Sequence, residues 1–289
     1  MRDPRELAGA WSAFQQHGAA PPAPALTGVV ARYWWARWDL RGQPAYRQLL
    51  PPAPAVHLTF PTDGEPVLRG VHRRHFHRVL SGAGGVLGVA FVPGAFRRFL
   101  GAPVSTLTDR TVPAAAVFGP DLPSLGAEGP AGLPGPGADR PAADLVGLGG
   151  DGSAAAVLDG AVFTAGMAAV DAFLAGRVPA DPAGDEVAAW VRRASATPDL
   201  RRVDDLAVVC GVGVRRLQRL FAEHVGVSPK WLLRRLRLQE ITDTLAAAPG
   251  APVDWAGLAA DLGYVDQAHL SRDFAAMFGE PPTAYAARY

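Results

Sequence analysis

The chain has 289 residues, with 28 Lys and Arg against 27 Asp and Glu and a formal net charge of +1. That length suits about two domains, each with its own core, and 49% hydrophobic with 19% charged residues argues against a disordered chain. Near-neutral charge offers no global attraction for nucleic acid, and the single cysteine, Cys210, excludes an intrachain disulfide and a zinc-finger array.

The first residues, MRDPRELAGAWSAF, lack the basic-then-apolar layout of a signal peptide. No run approaches the roughly 18 apolar residues of a membrane span; the nearest, 161–176, carries Asp171. The expectation is a cytoplasmic chain without a membrane partner. Lys230 is the only lysine, Ile241 the only isoleucine, and asparagine is absent. That usage points to GC-rich codons and weakens Gly and Pro as punctuation.

Residues 1–118 read as a mostly-β domain. Apolar runs at 29–38, 56–60 and 86–92 predict strands, with a short helix at 95–100. Residues 119–152, rich in Gly and Pro, read as a loop or linker. Residues 153–182 form a connecting region with a helix over 154–175. From 183 to 289 the pattern is helical, opening with Val187, Trp190, Val191 and Ala194 on one helix face. The expected fold class is therefore α+β, a mostly-β domain followed by an all-α one.

Three features of the front half invite a site. His72, His75 and His77, with His57 on another strand, have ligands of the type that binds a transition metal. No carboxylate or cysteine is spaced to complete that set, so a basic exposed strand is the preferred reading and no metal or cofactor is expected. Tyr33, Trp34, Trp35 and Trp38 suit either an apolar pocket or, as the favoured reading, ordinary core. The 82–85 run Gly-Ala-Gly-Gly lacks the Lys-Ser/Thr of a phosphate loop. Cys210, at the end of a predicted buried helix, reads as an inert core residue.

The informative segment is a tandem repeat. Leu206, Ala207, Gly211, Leu217, Arg219, Phe221, Gly226 and Pro229 recur as Leu258, Ala259, Gly263, Leu270, Arg272, Phe274, Gly279 and Pro282. Each copy meets the needs of a helix-turn-helix. Ala207 and Ala259 allow close helix approach, and Gly211 and Gly263 supply a positive φ where a helix ends. Leu217, Leu220 and Phe221, or Leu270, Phe274 and Phe278, face inward. Asp266 is a good N-cap, and Ser228-Pro229 opens a long linking helix.

The remaining face of each second helix decides the chemistry. Copy one offers Arg215, Arg216, Gln218 and Arg219; Arg215 and Arg219 share a face and suit guanine O6 and N7. Copy two offers Gln267, Ala268, His269 and Arg272; Gln suits adenine, while His269 and Arg272 can reach base or phosphate. Residues 199–239 hold nine basic and four acidic residues, whereas 240–289 hold two and seven. Copy one is thus expected to anchor binding through phosphate attraction.

This repeat resembles the AraC-type family of bacterial transcription regulators over residues 185–289, through Gly263-Tyr264, Asp266-Gln267, His269-Leu270, Arg272, Phe274, Phe278-Gly279 and Pro282. The resemblance implies two helix-turn-helix units on a rigid helix, reading successive major-groove segments of double-stranded DNA. Gly213 departs from a capping serine, and Pro281 stands where copy one has Ser228. The front half, through Trp38-Asp39-Leu40, Leu80-Ser81-Gly82, the 88–96 run and Leu107-Thr108-Asp109-Arg110, is similar to an N-terminal domain of such regulators in GC-rich bacteria. The partners this implies are a small-molecule effector, RNA polymerase and a second copy of the chain.

Other classes fare worse. One is an enzyme fused to a DNA-binding module, either a metal- or ligand-binding β-domain enzyme or a repair methyltransferase. The methyltransferase needs a nucleophilic cysteine in a separate domain, yet Cys210 lies inside the first helix-turn-helix, so no enzyme is expected. A helical interaction protein that does not touch DNA is opposed by the Arg215/Arg219 face.

Overall fold

The structure, a computed structural model, describes residues 14–125, 160–248 and 250–287. Eight strands come first: β1 (Gln15–Ala20), β2 (Val30–Leu40), β3 (Tyr46–Leu50), β4 (His57–Pro61), β5 (Val67–Arg69), β6 (Phe76–Leu80), β7 (Gly82–Phe91) and β8 (Thr111–Pro113). Two short helices, α1 (Arg97–Leu100) and α2 (Ala115–Phe118), interrupt or follow them. Six strands form an antiparallel sheet in the order β1-β2-β7-β4-β5-β8, and β3 pairs with β6 as a separate two-stranded sheet.

Strand alternation splits the aromatic run of β2 between two faces. Tyr33 and Trp35 join Leu58, Leu68, Leu87 and Val89 in a core closed by α3 (Gly160–Ala175) through Phe163, Val170 and Leu174. Trp35 stacks on Phe163 with centroids 5.1 Å apart. Full burial of each such large apolar side chain stabilises by about 1.5–3 kcal/mol. Trp34 and Trp38 face the other way, toward Tyr46 and Leu80 of the β3–β6 sheet. The four aromatics therefore do not line one pocket. Gly84 and Gly88 are needed opposite them, because a Cβ would sit 2.6 Å from Trp38 and 2.0 Å from Trp34.

Asp171, the acid within the apolar α3, has a structural role. Its Oδ1 accepts from the Tyr33 hydroxyl at 2.7 Å and from the Ala23 amide at 3.3 Å. Burial and this carboxylate together hold the Tyr33 phenol above its ordinary pKa. The helix predicted over 154–175 is seen from Gly160 onward; its first residues, and most of the 119–152 linker, lie outside the described residues.

The helical half comprises α4 (Pro182–Ser195), α5 (Val203–Cys210), α6 (Val214–His224), α7 (Pro229–Ala247), α8 (Trp255–Asp261), α9 (Gln267–Phe278) and α10 (Pro282–Ala286). Helix α4 begins at Pro182, which fits its first turn, and Asp181 caps it, accepting from the Gly184 amide at 3.0 Å. Two cores follow. Val187, Trp190, Leu206, Leu217, Phe221, Leu232 and Leu233 form the first; Leu238, Ile241, Leu245, Ala259, Leu270 and Phe274 form the second. The 19 residues of α7 span about 28 Å and serve both, the first half in one core and the second half in the other. Among the described residues, no helix is long and apolar enough to cross a membrane.

Candidate nucleic-acid interface

Each repeat copy folds as a helix, a turn and a second helix, α5–α6 and α8–α9. The turn glycines adopt φ of 68° at Gly211 and 72° at Gly263, with open space where a Cβ would go. Backbone conformation, not crowding, requires glycine there. The same closing bond follows in both copies: the Val212 amide donates to Ala207 O at 3.1 Å, and Tyr264 to Ala259 O at 2.8 Å. Ala207 and Ala259 are buried at 4% and 1% exposure, as close helix approach demands.

Burial sorts the second helices as the repeat predicts. Leu217, Leu220 and Phe221 of α6 and Leu270, Phe274 and Phe278 of α9 are buried. Arg215, Arg216, Gln218 and Arg219, and Gln267, His269 and Arg272, are all exposed. Among the described residues Arg215, Arg216, Arg219 and Arg272 enter no ion pair. Other arginines of the basic 199–239 block are engaged internally. Arg201 makes a two-pronged pair with Glu240 at 2.8 and 3.2 Å. Arg234 meets Asp273 at 2.5 Å. Arg237 donates to Arg201 O at 3.3 Å and lies 5.4 Å from the Tyr264 ring. The basic surplus available to a ligand is thereby concentrated on α6.

The helix starts differ. Asp266 caps α9, accepting from the His269 amide at 2.6 Å. Gly213 gives α6 no side-chain cap, and its first turn has no acid but carries Arg215 and Arg216. Cations and free amides at the positive end of a helix are mutually unfavourable until an anion arrives.

Sequence reasoning missed the grip of the front half on both units, at equivalent repeat positions. Thr108 Oγ1 donates to Gly226 O at 2.5 Å, and a Cβ on Gly226 would lie 3.0 Å from Val104. The His75 amide donates to Met277 O at 3.1 Å, and a Cβ on Gly279 would lie 2.8 Å from the His75 ring. Thus the C-terminal end of each second helix is held, opposite the end carrying the exposed arginines or glutamine. Arg97 adds a 2.9 Å pair to Glu223, Arg235 Nε donates to Pro52 O at 2.6 Å, and Trp231 Nε1 to Arg73 O at 3.0 Å. The positive φ of Gly226 and Gly279 reads from sequence as a helix end; their contact with another domain has no local signature.

The histidine run is dispersed by the strands. His75 and His77 lie near each other, centroids 5.8 Å apart, whereas His57, in the six-stranded sheet, accepts a bond from Trp34 of that same sheet. No group of three metal-ligating side chains is found among the described residues. Cys210 is half-buried at the end of α5, and burial pushes its thiol pKa up.

Residues 19–113 match the family described as a domain of unknown function (DUF6597), and residues 206–288 match the family described as a helix-turn-helix domain. No curated protein matches the chain. Among solved structures, an AraC-type regulator from Chromobacterium violaceum is 23% identical, covering 36% of this chain and 90% of that one, with a TM-score of 0.32. The C-terminal domain of the response regulator AraT from Geobacillus stearothermophilus is 23% identical over 35% and 85%, with a TM-score of 0.30. ToxT from Vibrio cholerae is 10% identical over 96% and 98%, with a TM-score of 0.40. With the duplicated glycine turns, paired cores and exposed second-helix faces described above, residues 206–288 are a helix-turn-helix domain of the AraC type, carried behind a DUF6597 domain.

Proposed function

We propose that the protein binds DNA sequence-specifically, with α6 and α9 in successive major-groove segments. Arg215, Arg216, Gln218 and Arg219 serve the first segment, and Gln267, His269 and Arg272 the second. The observation that carries this reading is the start of α6, an uncapped, acid-free helix end with exposed, unpaired arginines. Phosphate satisfies its free amides, and a guanidinium pair four residues apart suits guanine edges. The second unit, internally capped and poorer in free cations, contributes sequence choice more than affinity.

In this reading residues 1–118 sense an effector or a second copy, 119–152 link, 153–182 connect, and 183–289 bind DNA and present the chain to RNA polymerase. The hold on Gly226 and Gly279 supports modulation: a change in the front half that shifts either contact re-aims a recognition helix. Selection of bound fragments from genomic DNA tests the proposal. A recurrent motif with two boxes about one helical turn apart is expected; absence of enrichment overturns it.

A further inference from the structure

Between the six-stranded sheet and the two-stranded β3–β6 sheet, two chemistries sit side by side. Trp38, Leu40 and Val86 of the larger sheet pack on Tyr46 and Leu80 of the smaller one. Beyond them the lining is cationic. Register puts Arg32, Ala90, His57 and Arg69 in one row across β2, β7, β4 and β5, hence on one face. From β6, Arg78 lies 5.1 Å over the Trp38 ring, and Arg69 of β5 lies 6.0 Å from the Phe76 ring.

Arg69 and Arg78 are half-buried, whereas Arg32 is exposed, and among the described residues the carboxylate facing the pair is the exposed Asp63. Among the described residues Arg69 makes no ion pair with a carboxylate; the charged and titratable groups facing it are Arg78, His57 and His72. Arg78 is faced by Arg69 and by the exposed Asp63. Burial draws Arg69 below its ordinary pKa and Arg78 down to about 10. A desolvated cation without an acceptor is costly. Trp34 Nε1 donates to His57 Nδ1 at 3.2 Å, which leaves Nε2 of the neutral imidazole as a donor. The Trp34 indole lies flat over Gly88, where a Cβ would be 2.0 Å away.

We propose that this inner face binds a small organic anion, its oxyanion head held by Arg69 and Arg78 with the His57 Nε2–H as a further donor, and its planar body against Trp34. The fork geometry of arginine suits carboxylate and phosphate alike. The inference rests on the ligand-responsive reading of the front half, but its test involves no DNA, so its failure leaves the DNA-binding reading standing.

The test is thermal unfolding of the full chain with sodium benzoate, phenyl phosphate or inorganic phosphate, each against sodium chloride at equal ionic strength. Benzoate or phenyl phosphate should raise Tm saturably and more than inorganic phosphate; the tighter of the two identifies the head group. Arg69→Met should abolish the rise and, by removing an unanswered charge while keeping an apolar stem, increase Tm of the free chain. Arg78→Gln should also abolish the rise, with a near-UV spectrum unchanged from wild type. Absence of a saturable rise with either organic anion, an equal rise with inorganic phosphate, a rise that survives Arg69→Met, or a lower free-chain Tm in that variant would each overturn the proposal.

Discussion

The α5–α6 unit and the α8–α9 unit bury side chains at equivalent positions, yet they solve their surfaces in opposite ways. The second is locally self-consistent, with Asp266 capping α9 and Tyr264 donating to Asp273 at 2.8 Å. The first leaves its recognition helix uncapped, with arginines at the positive end. A duplicated scaffold thus keeps its packing in both copies and leaves only one second helix electrostatically incomplete, the one that anchors DNA in the proposed reading.

Packing equivalence can be broken most strongly at the central leucines. Leu217 and Leu270 are both fully buried, so Leu217→Ala and Leu270→Ala should each cost about 2–5 kcal/mol. Because the cores are separate, hydrogen exchange should accelerate in α5–α6 for the first variant and in α8–α9 for the second. Acceleration spread equally over both units in each variant would contradict two cores joined by α7.

Capping gives a smaller contrast. Asp266→Ala should destabilise the second unit by about 1 kcal/mol, whereas Gly213→Ser should stabilise the first by a few tenths of a kcal/mol. Urea unfolding measures both. A loss of stability from Gly213→Ser would show that the start of α6 tolerates a cap poorly for reasons other than a missing oxygen.

Acid should separate the units further. Helix α6 ends on His224, buried at 2% exposure, while the equivalent residue of α9 is Met277. Burial lowers the His224 pKa; Asp181, 3.5 Å away, and Glu223 oppose the shift, and Arg97 and Arg98 add to it. The unfolded chain therefore takes up this proton first, near the ordinary histidine value of about 6.5. The stability the neutral ring contributes is present above that pH and lost as pH falls below it. Hydrogen exchange at pH 7.5 and 5.5, corrected for intrinsic rates, should show α6 losing protection relative to α9. His224→Met, copying the second unit, should remove the difference.

The helical half was legible because its rules are local: a small residue at a helix crossing, a glycine four residues on, and apolar positions at helical spacing. The front half showed its main strands but not their partners. The pairing of β3 with β6, and the row Arg32–His57–Arg69, depend on register between segments far apart in sequence. The split of Tyr33 and Trp35 from Trp34 and Trp38 was available from strand alternation, whereas the layers receiving each face were not. Net charge misled for a physical reason. Basic and acidic blocks cancel in the sum but meet in space, as where Arg98 pairs with Asp185.

The central claim is that the first unit anchors DNA and the second chooses sequence. Its most direct measurement is the affinity of wild type, Arg219→Ala and Arg272→Ala for a selected genomic fragment across a salt series. Arg219→Ala should cost about 1–3 kcal/mol, or lower the salt slope by about one if it meets phosphate instead of a base, and in either case should weaken binding more than Arg272→Ala. A larger loss from Arg272→Ala would contradict the account.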